Sequence, residues 1–351
     1  MLNINSEYFK NKRILVTGAC GTVGKALCQR LLSSQFQIGD LLGVDNNESD
    51  LFFLDQLGNK PDNAAYMLAD IRDYASISKM MSGVDIVFHC AALKHVMLGE
   101  NRPHEIVRTN IEGVENIIAA AIENNVEKVI FTSSDKAVNP TNVMGTSKLM
   151  GERLFTAGNI KLGKKSTLPV FASTRFGNVL GSRGSVIPIF KKQIESNGPI
   201  TLTDKKMSRF IMSIEEAVDL VIACAPLAKG GEVFVTKMPI IKIEDLAIIM
   251  REELCGATSK DKNSIPIKEI GSKPGEKLYE ELMSKEETAR ALELKDFFVV
   301  LPAFRASYKG VDYTYESLVN ENVEKEYVSE DGPYMSAEEL RKFLISNDLL
   351  T

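Results

Sequence analysis

The sequence of 351 residues contains no apolar run approaching the roughly 18 residues of a membrane span, so no transmembrane segment is expected. It carries no basic excess: 42 Lys and Arg against 47 Asp and Glu leave a net charge of -5. That removes the electrostatic case for a nucleic-acid partner. Histidine is scarce, and His89, His95 and His104 are not arranged like zinc ligands. Cys20, Cys28, Cys90, Cys224 and Cys255 show neither pairing nor metal spacing and read as reduced, mostly buried thiols. The opening MLNINSEYFKNKR lacks the apolar core of a secretory signal. Internal repeats and low-complexity segments are missing too. These absences point to a cytoplasmic protein with no structural metal and no membrane or nucleic-acid partner. The length allows one large or two moderate domains.

What is present is an alternation of short apolar strands and helices. RILVTGACGTVGKALCQRLLSS gives a strand, a Gly-rich turn and an amphipathic helix. LLGVDNN reads as a second strand ending at Asp45, AAYMLADIRD as a third ending near Asp70, and DIVFHCAAL as a fourth. TNIEGVENIIAAAIENN places Ile111, Val114, Ile117, Ile118, Ala121 and Ile122 on one helix face. KVIFTSS and VFASTRFGN supply a fifth and a sixth strand. Near-continuous apolar strands alternating with helices predict an α/β fold, a Rossmann-type doubly wound parallel sheet with helices on both faces.

After Asn178 the rhythm loosens into GNVLGSRGSVIP and SNGPITLTD, and a helix at IEEAVDLVIACAPLA restores it. Residues 1–178, with 210–238 returning to them, are therefore expected to form the nucleotide-binding domain. Residues 179–209 and 239–320 form a smaller substrate-binding lobe, and 321–351 a helical tail. In that tail Ser336 and Glu339 match a capping box. No chemistry is assigned to it.

Gly18-x-x-Gly21-x-x-Gly24 lies between the first strand and the helix opened by Thr22 and Val23. Glycines there allow the tight turn, let backbone amides approach a pyrophosphate and let the helix pack on the sheet. The strand before, the helix after and Asp45 at the second strand end strengthen the signal. A carboxylate at Asp45 accepts hydrogen bonds from ribose hydroxyls and repels a 2′-phosphate, which favours NAD over NADP. Asp70 with Ile71 fits an adenine-edge contact. Ala91 with Ala92 leaves room for the cofactor beneath the fourth strand.

Ser134, Asp135 and Lys136 directly follow the fifth strand. Ligands of open α/β sheets sit beyond the carboxyl ends of the strands, so these side chains are expected in the cleft. A surface ion pair of Asp135 with Lys136 is the plainer alternative. Met144 and Lys148 are one helical turn apart and face the same way. Taken singly, Met144 reads as core filler and Lys148 as an exposed helix lysine.

The segments TGACGTVG, HCAALKHV, TNIEGVENII, SSDKAVNPTNVMGTSK, TRFGNVLGSRGSVIPIF, MSRFIMSIEEAVDL, GGEVFVTKMPIIKI and KPGEKLYEEL carry a more specific resemblance. The chain resembles the extended short-chain dehydrogenase/reductases, and among them the UDP-N-acetylglucosamine 4,6-dehydratases of surface-polysaccharide and nonulosonic-acid biosynthesis. The likeness runs from about residue 13 to 285. Most of that superfamily has a tyrosine at the position of Met144, which takes a proton from a substrate hydroxyl. Methionine cannot, and it places the chain in the methionine-bearing branch of the dehydratases. That branch includes long membrane-anchored enzymes; no anchor is read here. VDNNESDLFF is similar to the NAD-using members.

The resemblance implies that Ser134, Asp135 and Lys136 carry the dehydration, with Lys148 on the nicotinamide ribose. Carbon 4 is oxidised, Lys136 removes the carbon 5 proton, Asp135 protonates the departing 6-hydroxyl, and hydride returns to carbon 6. Asp135 or a water ordered by Ser134 would accept the 4-hydroxyl proton. The resemblance also places Lys94 near the sugar or its phosphates, Asn178 at the diphosphate, and Gly184, Ser185 and Val186 at the uracil. Arg209 would clamp a phosphate, and Glu276 would reach a ribose or the sugar. UDP-N-acetylglucosamine or a close UDP-sugar is the expected partner, with a homo-oligomer, dimer or hexamer, as the assembly. A UDP-sugar 4-epimerase and a non-catalytic NAD-binding regulator are the competing readings.

Overall fold

The computed structural model describes residues 4–56, 61–160, 169–257, 264–271, 275–308 and 310–350. Lys273 and Pro274, which begin the KPGEKLYEEL segment, lie outside the described residues.

Seven parallel strands form the centre of the molecule. In chain order they begin with β1 (Arg13–Thr17), β2 (Asp40–Asp45), β3 (Ala64–Leu68), β4 (Ile86–His89), β5 (Lys128–Thr132) and β6 (Val170–Arg175). The seventh, β10 (Val233–Thr236), follows the short β7 (Asn178–Val179), β8 (Ile200–Leu202) and β9 (Ser208–Met212), which lie elsewhere. Their spatial order is β3-β2-β1-β4-β5-β6-β10. The order reverses between β1 and β4, so a crevice opens there at the carboxyl ends of the strands.

Strand side chains alternate between two apolar layers, as the pleat requires. Ile14, Val16, Ile86, Phe88 and Ile130 face one layer, with Leu27, Leu31 and Leu220. Leu15, Val87, Val129 and Phe131 face the other, with Ile77, Val114, Ile117 and Phe155. The first layer is covered by α1 (Thr22–Leu31) and α9 (Ile214–Leu227). The second is covered by α3 (Tyr74–Met80), α6 (Gly113–Glu123) and α7 (Val143–Ile160). Burial on both faces explains why these strands read as unbroken apolar runs.

A third apolar cluster forms the smaller lobe. It gathers Ile187, Phe190 and Ile194 of α8 (Val186–Glu195) with Leu246, Ala247 and Met250 of α10 (Ile243–Ala257). Strand β9 lies between β7 and β11 (Ile240–Lys242), and β8 pairs with β12 (Ile267–Glu269).

The structure corrects the domain limits read from the sequence in three places. The return to the main sheet begins with α9, because β9 pairs outside that sheet. Residues 239–320 do not lie wholly in the lobe. Strands β14 (Ala291–Leu294), β15 (Phe297–Val300) and β16 (Leu318–Asn320) extend the main sheet antiparallel beyond β10. They are too short for a helical period; β15 pairs with the free edge of β10, β14 with β15, and β16 with β14. The tail is also integral. Leu340 and Leu344 of α12 (Ala337–Ser346) are buried in the lobe core, and β17 (Tyr327–Val328) pairs with β13 (Glu281–Met283). Ser336 and Glu339 do form the expected capping box.

A buried ionic network centred on Arg175, whose side chain is 1% exposed, ties β6 to α7 and to the segment between β13 and β14. Its Nε and Nη2 donate to the two Glu152 oxygens of α7 at 2.8 and 2.6 Å. Its Nη1 and Nη2 donate to Glu287 at 2.8 Å each. Glu287 also closes the capping box of α11 (Lys285–Thr288) with Ser284. The Ser133 hydroxyl donates to Glu152 at 2.5 Å. Burial favours the neutral form of Glu287, but Arg175 outweighs it and holds the carboxyl at about 2.

Breaking one partner of a buried network leaves uncompensated charge, which costs about 3–5 kcal/mol. Arg175→Met should lower the unfolding free energy by about that much, read from the denaturant midpoint. Glu287 contributes stability above its ordinary 4.5, lost as pH falls toward 2. The variant should therefore lose part of its acid-induced destabilisation in that window. An unchanged midpoint would remove the network from this account.

Candidate active site

The glycine turn closes tightly. Gly18 has φ +72°, and a Cβ on Gly24 would lie 2.1 Å from the Gly18 carbonyl oxygen. The first helix therefore starts against the strand end, with Gly21 as an N-cap that supplies no side-chain cap. That geometry suits an anion held by the helix N-terminus. Asp45 ends β2, where its carboxylate accepts from the Cys20 and Asn47 amides at 2.9 and 3.0 Å. Asp70 is held by the Arg72 guanidinium, which keeps its carboxyl below the usual range. Ile71 is buried, and a side chain on Gly113 would strike it.

A cavity of about 470 Å³ lies over this turn. Gly18, Gly21, Thr22, Val23, Gly24, Ala92 and Lys94 line it, with Ser134, Asp135, Lys136, Met144 and Lys148 opposite. Asp45, Asp70, Ile71 and Ala91 do not line it. Ala91 instead presses on the glycine turn, its backbone nitrogen 2.7 Å from where a Cβ on Gly18 would sit. The glycine lining fits the pyrophosphate of a dinucleotide, a side-chain-free cradle at a helix N-terminus, while the Asp45 carboxylate at the second strand end lies outside this cavity.

Past β5 the chain makes one 3-10 turn over Asp135–Ala137. Ser134 caps it, accepting from the Lys136 amide at 3.3 Å and donating its hydroxyl to Asp135 Oδ1 at 2.6 Å. Lys136 Nζ donates to the same Oδ1 at 3.0 Å and lies 3.3 Å from Glu280 Oε1. Helix α7 packs directly on this turn. A Cβ on Gly145 would be 2.2 Å from the Lys136 carbonyl oxygen, so only glycine permits the approach. Asn142 Oδ1 accepts from the Gly145 amide and fixes the helix start. Asp135 is 1% exposed. The plain reading of Asp135 and Lys136 as a surface pair therefore fails.

Lys148 is buried rather than exposed. Its ammonium donates to the Thr132 carbonyl at 2.9 Å and lies 4.6 Å from the Phe131 ring centroid. Burial pushes it down to about 8, against the opposing pull of Cys90 and Glu152. His89 is pushed down to about 3 by burial and by Lys148, so it is neutral, and its Nδ1 shares a hydrogen bond with the Thr17 hydroxyl.

A second cavity, of about 370 Å³, adjoins the first. Asn178, Gly184, Ser185, Val186, Arg209 and Glu276 all line it. Of the residues assigned to substrate, Lys94 lines the first cavity but not the second. Its amine donates to the Arg183 carbonyl at 3.0 Å. Lys136, Asn178 and Ser185 line both cavities. Arg209 is held in place by the carbonyls of Ser208, Leu278 and Lys277.

Sequence reading missed two residues here. Glu280 follows Glu276 by one helical turn in sequence spacing, yet nothing in the segment predicted that it would be buried beside Lys136 and Arg209. Asn110 accepts from the Leu93 amide at 2.8 Å and donates to the Leu93 carbonyl and Ser147, tying the loop after β4 to α7. Its signal was a polar residue opening the apolar helix TNIEGVENII.

The strand order, the glycine turn and the Met144–Lys148 step against Asp135 define an extended short-chain dehydrogenase/reductase. The family model described as polysaccharide biosynthesis protein matches residues 14–302, and the chain belongs to that family. The crystal structure of Pen from Bacillus thuringiensis superposes with a TM-score of 0.89 at 41% identity, covering 98% of this chain and 100% of that one. A protein of Campylobacter jejuni named UDP-N-acetylglucosamine 4,6-dehydratase (inverting) is 36% identical over 94% of this chain and 96% of its own. A Rickettsia akari protein named UDP-glucose 4-epimerase is 37% identical over 97% and 98%. Among the described residues no helix is long and apolar enough to cross a membrane.

The depressed ammonium of Lys148 has a stability consequence. Between about pH 8 and its ordinary 10.5 the unfolded chain binds the proton and the folded chain does not, so this group's contribution to stability rises with pH there. Below about 8 the buried charge is a standing cost. Lys148→Met should make the cofactor-free protein more stable at pH 7 by roughly 1–3 kcal/mol, with the gain shrinking toward pH 10, while activity is lost. Thermal unfolding across that pH range checks it; a variant less stable at pH 7 contradicts it.

Proposed function

We propose that the chain is an NAD-dependent nucleotide-sugar 4,6-dehydratase acting on UDP-N-acetylglucosamine or a close UDP-sugar. The reading is carried by one observation: Lys136, ion-paired to Asp135, stands where the two cavities meet. A cofactor over the glycine turn and a sugar diphosphate beside Arg209 would both touch it.

NAD, when bound, would supply the hydride chemistry, removal from carbon 4 of the sugar and return to carbon 6. Lys148 would hold the cofactor's ribose, and Asp45 its adenosine end. Arg209, Asn178, Gly184, Ser185, Val186 and Glu276 would hold the nucleotide, with Lys94 at the cofactor side of the sugar. Asp135, with Ser134 donating to it, takes the 4-hydroxyl proton, the task that a tyrosine at the Met144 position would perform. It passes that proton to the departing 6-hydroxyl. Lys136 takes the carbon 5 proton. Each such transfer contributes about 10²–10⁴-fold. The name of the Campylobacter relative supports this substrate.

A UDP-sugar 4-epimerase is the second reading, favoured by the name of the Rickettsia relative. Epimerisation involves no elimination, so it leaves Lys136 with no carbon 5 proton to take and Asp135 with no leaving group to protonate. Proton NMR of the product decides between a 4-keto-6-deoxy sugar and a 4-epimer.

Three outcomes are expected. The purified protein should release NAD rather than NADP on denaturation, read by mass spectrometry; NADP alone would overturn the role of Asp45. Lys136→Ala should oxidise carbon 4 yet form product at least about 10²-fold more slowly, leaving the 6-hydroxyl in place and reduced nicotinamide visible in the absorption spectrum. Normal product formation would take Lys136 out of the mechanism. Met144→Tyr should keep measurable dehydratase turnover. If that variant folds and binds NAD but is inactive, the site is arranged differently from this account.

A further inference from the structure

Lys136 has two carboxylate partners, not one. Asp135 Oδ1 is 3.0 Å from its Nζ and Glu280 Oε1 is 3.3 Å away. Asp135 faces the cofactor-side cavity and Glu280 the substrate-side cavity. Glu280 is 3% exposed, and its Oε2 is buried without a partner among the described residues. Arg209 Nε lies 3.7 Å from Glu280 Oε1. The Glu280 amide donates to Ser329, so the backbone of the residue is pinned. Two cations and two anions thus share one buried cluster.

That arrangement poses a chemical problem for the proposed reaction. A lysine amine removes a carbon-bound proton only when neutral. Burial alone would lower the proton affinity of Lys136, but Asp135 and Glu280 outweigh it and raise it. The resting lysine is therefore an ammonium. Asp135 cannot discharge it while also carrying the 4-hydroxyl proton. Burial raises the proton affinity of Glu280 and Asp135 adds to it, against Lys136 and Arg209.

Building on the dehydratase reading, we infer that Glu280 is the proton-holding residue that sets Lys136 free to act as the carbon 5 base. The proton leaves Lys136 Nζ and bonds to the Glu280 carboxylate, giving a neutral amine and a neutral acid. The amine then takes the carbon 5 proton. The electron pair of that C–H bond forms the carbon 5–carbon 6 double bond as the carbon 6–oxygen bond breaks. Asp135 gives the leaving oxygen the proton it took from the 4-hydroxyl, and water departs. After hydride arrives at carbon 6, the Lys136 ammonium returns a proton to carbon 5. Glu280 then hands its proton back to the amine, and the cluster is restored. Glu280 acts through Lys136, as a positioning residue for the proton, and does not itself need to reach the sugar.

The test uses the full chain with bound NAD and UDP-N-acetylglucosamine in deuterated water, followed by proton NMR and the reduced-nicotinamide absorbance. Wild type should give a 4-keto-6-deoxy sugar with deuterium at carbon 5. Glu280→Gln keeps the shape but accepts no proton. It should still form reduced nicotinamide in the first turnover, with KM within a few-fold of wild type. Its kcat and its exchange at carbon 5 should fall by about 10²-fold or more. Glu280→Asp restores a carboxylate and should recover part of both. Exchange and turnover by Glu280→Gln within about ten-fold of wild type would overturn the role. So would equal loss of carbon 4 oxidation, or of folding, in both variants, which marks a structural residue. If wild type yields no 4-keto-6-deoxy sugar, the dehydratase reading itself fails, whatever the variants do.

Discussion

The buried guanidinium of Arg175 is the constraint on which the rest of the structure depends. It ends the buried strand β6 and joins three separate parts of the chain. Glu152 belongs to α7, the helix that carries Met144 and Lys148. Glu287 belongs to the capping box that starts α11. Ser133, bonded to Glu152, stands immediately before Ser134, Asp135 and Lys136. A charge this deep is costly unless every partner is in place. The network thus tolerates one relative placement of β6, α7 and α11, and Met144 and Lys148 on α7 inherit that placement.

The chemistry is concentrated where those parts meet. A one-turn 3-10 helix sets Asp135 and Lys136 side by side, and Gly145 lets α7 lie against their backbone. Lys148 crosses beneath, held by a strand-end carbonyl and an aromatic face. Glu280 and Arg209 close the cluster from the lobe. Each cation has an anion within reach, so a proton can move inside the cluster without changing its total charge. That property matters in a low-dielectric site, where an unpaired charge is expensive. It also explains how a chain with methionine in place of the usual tyrosine keeps a route for the 4-hydroxyl proton in the proposed reaction.

Much of this was legible in the sequence, for reasons of short range. Apolar runs bounded by turns gave β1, β2 and β4–β6, because strands buried on both faces are apolar along much of their length. Glycine spacing gave the nucleotide turn, and a one-turn spacing gave Met144 and Lys148. The capping box at Ser336 needs only four residues to declare itself. Reading failed where pairing is remote. The strands β14–β16 are three or four residues each, and they add to the sheet one after another from the open edge of β10, which β15 meets.

The sequence by itself determined the class of fold, the glycine cradle, the Ser134-Asp135-Lys136 triplet and the missing tyrosine, since each is written in local spacing and residue chemistry. Only the tertiary structure decided that Lys136 has a second carboxylate, because Glu280 is 144 positions away and reaches it through the lobe. It alone decided that Arg175 is paired, that Lys148 is buried, and that the two cavities share a wall. Those facts depend on which surfaces of distant segments are pressed together. Burial and pairing of charges follow from that packing, not from neighbours in the chain.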